Sequence, residues 1–263
     1  MTDDLLGASR TTAVLRNRDT IVLLLAAAGA GVDAAMLVSF GVLTAAQTGN
    51  TILLAVALAQ GRWRDGLAAG ISVTGYVLGA AAGELIIDAV NARRGEPRFI
   101  ARALVVELLL LILVVVGWWL MGVSPALPGQ DGLIALAAIA MGMQSAATLR
   151  LHAGPATTYV TGTLTTFTTE MIRRSRRLSG FRAAPGLDPT GTPLRVPDAQ
   201  ERPWMYGLTW GVYLAAAIAT ALLGLQSPQA ALLLPICVLA VVVATARVSS
   251  RPLSSPELTR PKK

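Results

Sequence analysis

Six apolar stretches, each long enough to cross a lipid bilayer, constrain the fold of this chain more than any other feature of its 263 residues. A membrane-spanning helix needs about 20 mostly apolar residues. The stretches cover residues 21–43, 67–90, 103–123, 132–149, 204–225 and 229–247. Only 14% of the residues are charged, against about 25% in a typical soluble domain. The sequence therefore predicts an all-α, polytopic membrane helical bundle whose main partner is the lipid bilayer.

Two further segments, 51–60 and 163–172, are apolar or mixed in character but too short to cross alone. We expect each to form a short re-entrant or interrupted helix. The Lys and Arg residues predict the orientation, because cytoplasmic loops carry an excess of both. With six spans and a cytoplasmic N-terminus, 20 of the 22 Lys and Arg residues lie inside, and only Arg62 and Arg64 lie outside. A seventh span over residues 44–60 would weaken this bias.

The six spans and the distribution of Lys and Arg predict a multi-pass protein of the cell's inner (plasma) membrane with both termini in the cytoplasm. The N-terminus is acidic before it is basic, which is a poor start for a cleaved signal, so we expect the first span to be retained. The expected units are a cytoplasmic segment 1–20, a first three-helix repeat 21–123, a second three-helix repeat 132–247 that includes a cytoplasmic linker 173–203, and a cytoplasmic tail 248–263.

An internal duplication underlies this division. A Thr-Gly step followed by Asn or Thr occurs at Thr48 and again at Thr161, and GVDAA at 31–35 resembles GMQSA at 142–146. GYVLGAAAG at 75–83 likewise resembles GVYLAAAIA at 211–219. Each unit holds three spans, and an odd number forces the second unit to lie upside down relative to the first. Inverted repeats of this kind recur in secondary transporters, whose sites lie near the midplane at broken helices.

The two Thr-Gly steps predict a binding place. Asn50 and Thr163 are suited to cap the short helices that follow, and a helix N-terminus offers free N–H donors and a partial positive charge. Brought together from opposite faces, the two ends would bind an anion or a dipolar solute. The alternative for each step is a tight hairpin at the surface. The predicted substrate-binding residues are Asp33, Gln47, Thr48, Gly49, Asn50, Gln144, Thr161, Gly162 and Thr163.

The acidic residues inside the spans lead to separate predictions about their partners and roles. A carboxylate at the depth of Asp33 costs roughly 2.5–3.5 kcal/mol on insertion scales, so Asp33 should face the interior and pair with Gln144 or with the backbone of residues 48–50. Its role is solute contact or proton coupling, and the alternative is a hydrogen-bonded packing residue. Glu84 and Glu107 favour interfacial ion pairs with nearby arginines over a proton path.

Glycine ridges predict close helix packing. Gly75, Gly79 and Gly83 form a small-residue ridge in the second span, and Gly207 and Gly211 form a shorter one in the fifth. The ridges would pack either the two repeats together or two copies of the chain, so a homodimer is compatible with the sequence.

Several classes of function find little support. The single cysteine, Cys237, and the single histidine, His152, leave no material for an intrachain disulfide or a Cys/His metal cluster. No nucleophile–base pair or phosphate-binding glycine loop is visible, so we expect no enzyme and no cofactor. The aromatic residues do not alternate with the basic runs, which argues against a nucleic-acid partner.

The two signature stretches resemble a known family. AGAGVDAAMLVSFGVLTAAQTGNTILLAVAL and GMQSAATLRLHAGPATTYVTGTLTTFTTEM are similar to two stretches of the YoaK-like family of bacterial membrane proteins, over most of residues 20–245. Glu84 and the long linker after Arg177 depart from that pattern. The family is a domain of unknown function, so the resemblance implies the fold and the location but no substrate.

Two functions are therefore predicted from the residues. The first is a small inverted-repeat transporter or channel for a small solute, with anions favoured and with the site at the two Thr-Gly steps near the midplane. The alternative is a non-transporting membrane scaffold or partner subunit, in which the glycine ridges and the arginine-rich linker would be the working surfaces.

Overall fold

The computed structural model describes residues 2–91, 98–122, 129–151, 160–178 and 203–249, and this part of the chain is almost entirely helical. Its helices are α1 Thr2–Phe40, α2 Gln47–Ala59, α3 Trp63–Asn91, α4 Arg98–Met121, α5 Gln130–Leu151, α6 Val160–Leu178, α7 Pro203–Gln226, α8 Pro228–Ala231 and α9 Leu233–Ser249. Six helical stretches in it are long and apolar enough to cross a membrane. The predicted helical membrane bundle with six spans is confirmed.

The crossing stretches agree closely with the predicted ones. They are Asp19–Phe40, Trp63–Asp88, Ala101–Met121, Gln130–Arg150, Trp204–Gln226 and Pro228–Thr245. The last is interrupted at Leu232, between α8 and α9, and Pro235 cannot donate a backbone hydrogen bond in the turn that follows. The predicted cytoplasmic segment 1–20 is part of the same helix as the first span, since α1 already begins at Thr2.

Two pairs of helices lie side by side in the same direction. Gly75 of α3 lies against Ala135 and Ala138 of α5, and Gly83 further along α3 lies against Met143 and Ala146 further along α5. In the second pair, Gly31 of α1 faces Thr220 of α7, and Val38 lies beside Gly224. The first and fifth spans are thus parallel, as are the second and fourth. This is expected if every span crosses the membrane, because odd-numbered spans then all run one way and even-numbered spans the other.

The bundle has two ends, which we name after one residue each. The Trp63 face is formed by the helix ends that surround one surface cavity or pack beside it, at Phe40, Trp63, Met121, Gln130 and Gln226. The Arg150 face is the opposite end, where α3 and α5 finish and α4 and α7 begin.

The first and fourth spans form the centre of the bundle. In α1 and α5, 67% and 72% of the span is buried, against 17–33% in the other four. These two helices contact each other and carry the flanking helices around them: α7 and α9 pack on α1, whereas α3 and α4 pack on α5.

Helix α2 is re-entrant. Asn50 Nδ2 of α2 lies 2.9 Å from Ser72 Oγ of α3. Asn50 is nine positions before Ala59, the end of α2, and Ser72 is nine positions after Trp63, the start of α3. At 1.5 Å per residue, the two helices therefore run antiparallel for about 13 Å between this contact and the turn at the Trp63 face. Because the hydrocarbon core is about 30 Å thick, α2 begins near half depth and runs back to the Trp63 face, where α1 ends.

Helix α6 is longer than the predicted segment 163–172. It starts at Val160 and continues to Leu178, into the range expected to be linker; residues 179–202 and 250–263 lie outside the described residues. Phe167 of α6 lies against Gly207, close to the start of α7. Helix α6 is thus attached near the Arg150 face, whereas α2 is attached near the Trp63 face.

The glycine ridge of the second span packs within the chain. A Cβ at Gly79 would overlap the carbonyl of Ile139, and a Cβ at Gly142 would overlap the carbonyl of Tyr76. The backbones of α3 and α5 are therefore in direct contact, and the ridge joins the two predicted repeats. The shorter ridge behaves differently, because Gly207 meets Phe167 but nothing lies within 4 Å of a Cβ at Gly211.

Candidate functional site

Asp33 is the centre of the hydrogen-bonded site near α2. Its carboxylate accepts hydrogen bonds from the backbone N–H groups of Thr44 and Ala45, both at 2.6 Å, and of Ala46 at 3.0 Å. The Thr44 hydroxyl lies 3.2 Å away and the Tyr213 hydroxyl of α7 lies 3.5 Å away. Residues 41–46 are not helical, so their N–H groups need acceptors, and a carboxylate supplies strong ones.

The predicted partners of Asp33 were wrong. The carboxylate binds residues 44–46 and neither Gln144 nor the backbone of residues 48–50. The physical reason is that α2 begins at Gln47, so residues 48–50 already lie inside a helix. The free donors are the N–H groups just before it, in the loop that returns to the depth of Asp33.

Asn50 holds the other side of the same loop. Its Oδ1 accepts from Leu43 N at 2.9 Å, and its Nδ2 lies 2.6 Å from Leu43 O and 2.9 Å from Gln47 Oε1. Ser72 of α3 donates to Leu43 O at 2.6 Å, and Gln47 Nε2 donates to Thr44 O at 2.7 Å. Asn50 is fully buried. Two polar sets, one around Asp33 and one around Asn50, thus fix non-helical backbone at membrane depth.

The capping roles predicted for Asn50 and Thr163 were also wrong. Ala46 precedes the first residue of α2, and Asn50 lies in the first turn, where its side chain binds the loop. Thr163 lies inside α6, which begins at Val160. Each Thr-Gly step is therefore part of a helical first turn and not the break itself.

The remaining residues of the first step have distinct environments. Thr48 is exposed, whereas a Cβ at Gly49 would lie only 2.5 Å from Leu43 Cδ1. Glycine at this position lets α2 approach the loop. Gln47 and Asn50 are hydrogen-bonded to one another, so the structure brings Asp33, Gln47, Gly49 and Asn50 around one loop.

The second step lies elsewhere. Gln144 donates from Nε2 to Leu25 O of α1 at 3.0 Å, and its Oε1 has no partner among the described residues. Gly162 is exposed and Thr163 is buried on α6 with Thr161 beside them. Helix α2 packs on α3 and α6 packs on α7, and the described parts of α2 and α6 make no substantial contact. The two steps are not joined into one pocket.

A surface cavity of ≈ 360 Å³ opens at the Trp63 face, above the loop. It is lined by Ser39, Phe40, Gly41, Val42, Leu53, Ala57, Arg62, Arg64, Asp65, Ala68, Gln130 and Asp131. Its floor is adjacent to the Asn50 set, because Ala68 lies one helical turn before Ser72 on α3. Arg62 pairs with Asp65 at 2.6 Å. No carboxylate of the described residues forms an ion pair with Arg64.

The acidic residues of the other spans divide into two cases. Glu84 and Asp88 of α3 both pair with Arg150 of α5, so the ion pair expected for Glu84 is confirmed, with an arginine of another helix. The expectation for Glu107 was wrong. It is fully buried on α4, and neither carboxylate oxygen has a hydrogen-bond partner in the described structure.

Sequence reasoning missed three contributors to the site. Ser72 and Tyr213 come from α3 and α7 and carry no local motif, so only the fold reveals them. The sequence distinguishes Arg64 only as one of two basic residues outside the predicted cytoplasmic set. That rarity was a usable signal, because both of those arginines line the cavity.

Comparison with known proteins gives a family without an activity. The family model described as "Protein of unknown function (DUF1275)" matches residues 21–245, from the first span to the end of the sixth. No curated protein and no solved structure matches the chain. The match covers most of the sequence and agrees with the resemblance of its two signature stretches. The chain therefore belongs to the DUF1275 family of membrane proteins of unknown function.

Proposed function

We propose that the protein is a small transporter or channel for a small solute, with an inorganic or carboxylate anion as the favoured class. The observation that carries this proposal is the break between α1 and α2. Non-helical backbone at membrane depth is tolerated where protein buries it or where it lines a water-filled path. Both surroundings occur here, since Gly41 and Val42 line the cavity, whereas polar side chains bind the backbone of residues 43–46.

The helix packing supports an inverted-repeat design. The helices of the two predicted repeats correspond in order: α1 to α5, α2 to α6, α3 to α7 and α4 to α9. The contacts correspond as well, because α3 packs on α5 as α7 packs on α1, and α4 packs on α5 as α9 packs on α1. Leu54 and Phe167, each six residues after its Thr-Gly step, lie against Gly66 and Gly207 at the starts of α3 and α7. This pairing is what two oppositely oriented units would produce.

The charged residues indicate the side of the membrane from which a solute would enter. Under the orientation with both termini in the cytoplasm of the plasma membrane, the Arg150 face is cytoplasmic and the cavity opens outside. Arg62 and Arg64 line its mouth together with Asp65, which pairs with Arg62, and Asp131. Arg64 is the basic side chain there with no ion-pair partner among the described residues, and it would attract an anion. The N–H donors before α2 already bind the Asp33 carboxylate. The solute is therefore expected to meet Arg64 first, with the Asp33 and Asn50 sets as the gate beneath it.

Flux into proteoliposomes that contain the purified protein would test this proposal. Chloride, phosphate and acetate are the probes, and we expect protein-dependent uptake of at least one. Arg64→Gln should lower uptake at low anion concentration, whereas Arg102→Gln, an exposed position at the other face, should leave it unchanged. Equal uptake by protein-free liposomes and by proteoliposomes, for all three anions, would refute the proposal.

The expected proton role of Asp33 has its own test. If the carboxylate carries protons, Asp33→Asn should abolish any dependence of uptake on a pH gradient. Uptake by this variant that keeps the wild-type pH dependence would remove that role and leave Asp33 as a group that positions the loop.

A membrane scaffold or partner subunit is the second candidate, and one observation favours it. The α3–α5 interface is closed by backbone contact at Gly79 and Gly142, and the two Thr-Gly steps lie on separate elements. A scaffold would show no uptake of any probe while co-purifying with a defined membrane partner, which distinguishes it from a transporter.

A further inference from the structure

Glu107 occupies a core position that its chemistry does not explain. The buried face of α4 repeats every three or four residues, as a helix packed on one side requires, through Ala103, Leu104, Glu107, Leu111, Val114 and Trp118. All but Glu107 are apolar. Its side chain has no exposure, and neither Oε1 nor Oε2 has a hydrogen-bond partner among the described residues.

The depth of Glu107 follows from the hairpin of α4 and α5. Gly117 lies beside Leu133, and Met121 lies beside Gly129, so the two helices run in opposite directions from the Trp63 face. Ten residues further from that face along each helix, or about 15 Å, are Glu107 and Met143. Glu107 is therefore level with Gln144, whose Oε1 is also buried without a partner in the described structure.

No charged group in the described structure compensates a negative charge at Glu107. Helix α5 carries Asp131 and Arg150 at its ends, and Arg150 is paired with Glu84 and Asp88 of α3. Asp65 lies at the far end of α3, and Arg64 there lines the surface cavity. Helix α9 carries the exposed Cys237 and, in its last turn, Arg247, and α8 carries no titratable side chain. On α4 itself, Arg102 is exposed. An unpaired carboxylate in such surroundings is strongly destabilised.

We propose that Glu107 is a reversible proton-binding site in the interior of the bundle. The carboxyl group holds a proton in the packed state described here and releases it when the inner part of the α4–α5 interface opens to water. A glutamine or methionine would fill this position in a purely structural core without an ionisable group. The proposal does not depend on transport of a solute, and its tests need only the purified full-length protein.

Carbodiimide labelling tests the first half of the proposal. Dicyclohexylcarbodiimide partitions into membranes and reacts with the protonated acid, which adds across one C=N bond, passes its proton to nitrogen and rearranges to a stable N-acylurea. Mass spectrometry of peptides from the labelled protein should find the adduct on Glu107 in preference to Glu84 and Asp88, and none at position 107 in Glu107→Gln. Preferential labelling of Glu84 or Asp88 would overturn the assignment.

The pH dependence of labelling tests whether the site is reversible. Above the midpoint of the titration, the rate at Glu107 should fall about tenfold for each pH unit. Thermal unfolding provides an independent measurement, because Glu107→Gln cannot ionise there and should become progressively more stable than wild type as pH rises. A labelling rate at Glu107 that stays constant with pH would show a permanently neutral packing residue and overturn the proposal. A stability difference that stays constant with pH would show that the carboxyl group titrates alike in the folded and unfolded protein, and it would overturn the proposal as well.

Discussion

Replacing Gly79 by alanine tests the contact between α3 and α5 with a single methyl group. A Cβ at this position would overlap the carbonyl oxygen of Ile139 and lie 2.7 Å from both its carbonyl carbon and its Cα. These are backbone atoms, so no rotamer change relieves the overlap. The helices must move apart by the better part of an ångström, and contacts along the whole ridge lengthen with them.

The expected magnitude follows from two opposing terms. Overpacking a well-packed interior costs about 1–3 kcal/mol, and replacing glycine by alanine inside a helix returns up to about 1 kcal/mol. We expect Gly79→Ala to lower the free energy of unfolding by about 1–2 kcal/mol. Gly70→Ala is the matched control on the same helix, because nothing lies within 4 Å of a Cβ there; it should be neutral or slightly stabilising.

Unfolding by sodium dodecyl sulfate in mixed micelles, followed by tryptophan fluorescence, measures the difference between the two variants. Light scattering in detergent reports the number of chains in each particle. Gly79→Ala as stable as Gly70→Ala would refute the packing argument. A change in subunit number without a change in unfolding of the single chain would instead assign the ridge to contacts between copies.

Three further predictions concern the Asn50 set, the Glu84 ion pair and the attachment of α6. Asn50→Leu removes the groups that hold Leu43 and should cost about 1–3 kcal/mol of unfolding free energy, measured in the same micelles, while Thr51→Val on the exposed face should change little. Glu84→Gln should change unfolding by less than about 1 kcal/mol, because its ion pair is partly exposed; a larger loss would mean that the pair is shielded from water. Gly207→Ala should loosen α6 and speed its proteolysis, and Phe167→Ala should restore protection, since the added methyl group meets that ring at 2.7 Å.

The span pattern was predictable because its physics is local. Hydrocarbon thickness sets the helix length, so apolar runs alone found six crossing helices within a few residues of their ends. The ridge at Gly75, Gly79 and Gly83 was also visible, but its partner was not. Which helix a glycine face meets depends on tertiary packing, and only the structure shows that it meets α5.

The site was predicted less well, for a reason that Asp33 illustrates. The sequence located a buried carboxylate and a nearby break, but the exact start of α2 decided which N–H groups were free. A difference of four residues moved the donors from 48–50 to 44–46, and Asn50 binds Leu43 instead of capping the helix. Ser72 had no signal at all, because its role depends on the antiparallel fit of α2 and α3.

Glu107 shows the opposite error. Arginines close to it in sequence suggested an ion pair, but helical periodicity puts this residue on the same face of α4 as Leu104 and Leu111. Helical periodicity therefore predicts the burial of Glu107, whereas its proximity along the chain to arginines does not indicate its partners.

The reach of Asp33 along the chain has a consequence for biosynthesis. Its acceptor oxygens bind N–H groups that are 11 to 13 positions later, so a ribosome has not yet released these partners when the middle of the first helix is ready to leave the translocon. The carboxylate of Asp33 therefore stays in aqueous or interfacial surroundings until about a dozen further residues emerge. Membrane integration of this helix is thereby coupled to the emergence of the loop, and a nascent chain whose residues 44–46 have not yet emerged is at its least lipid-compatible stage.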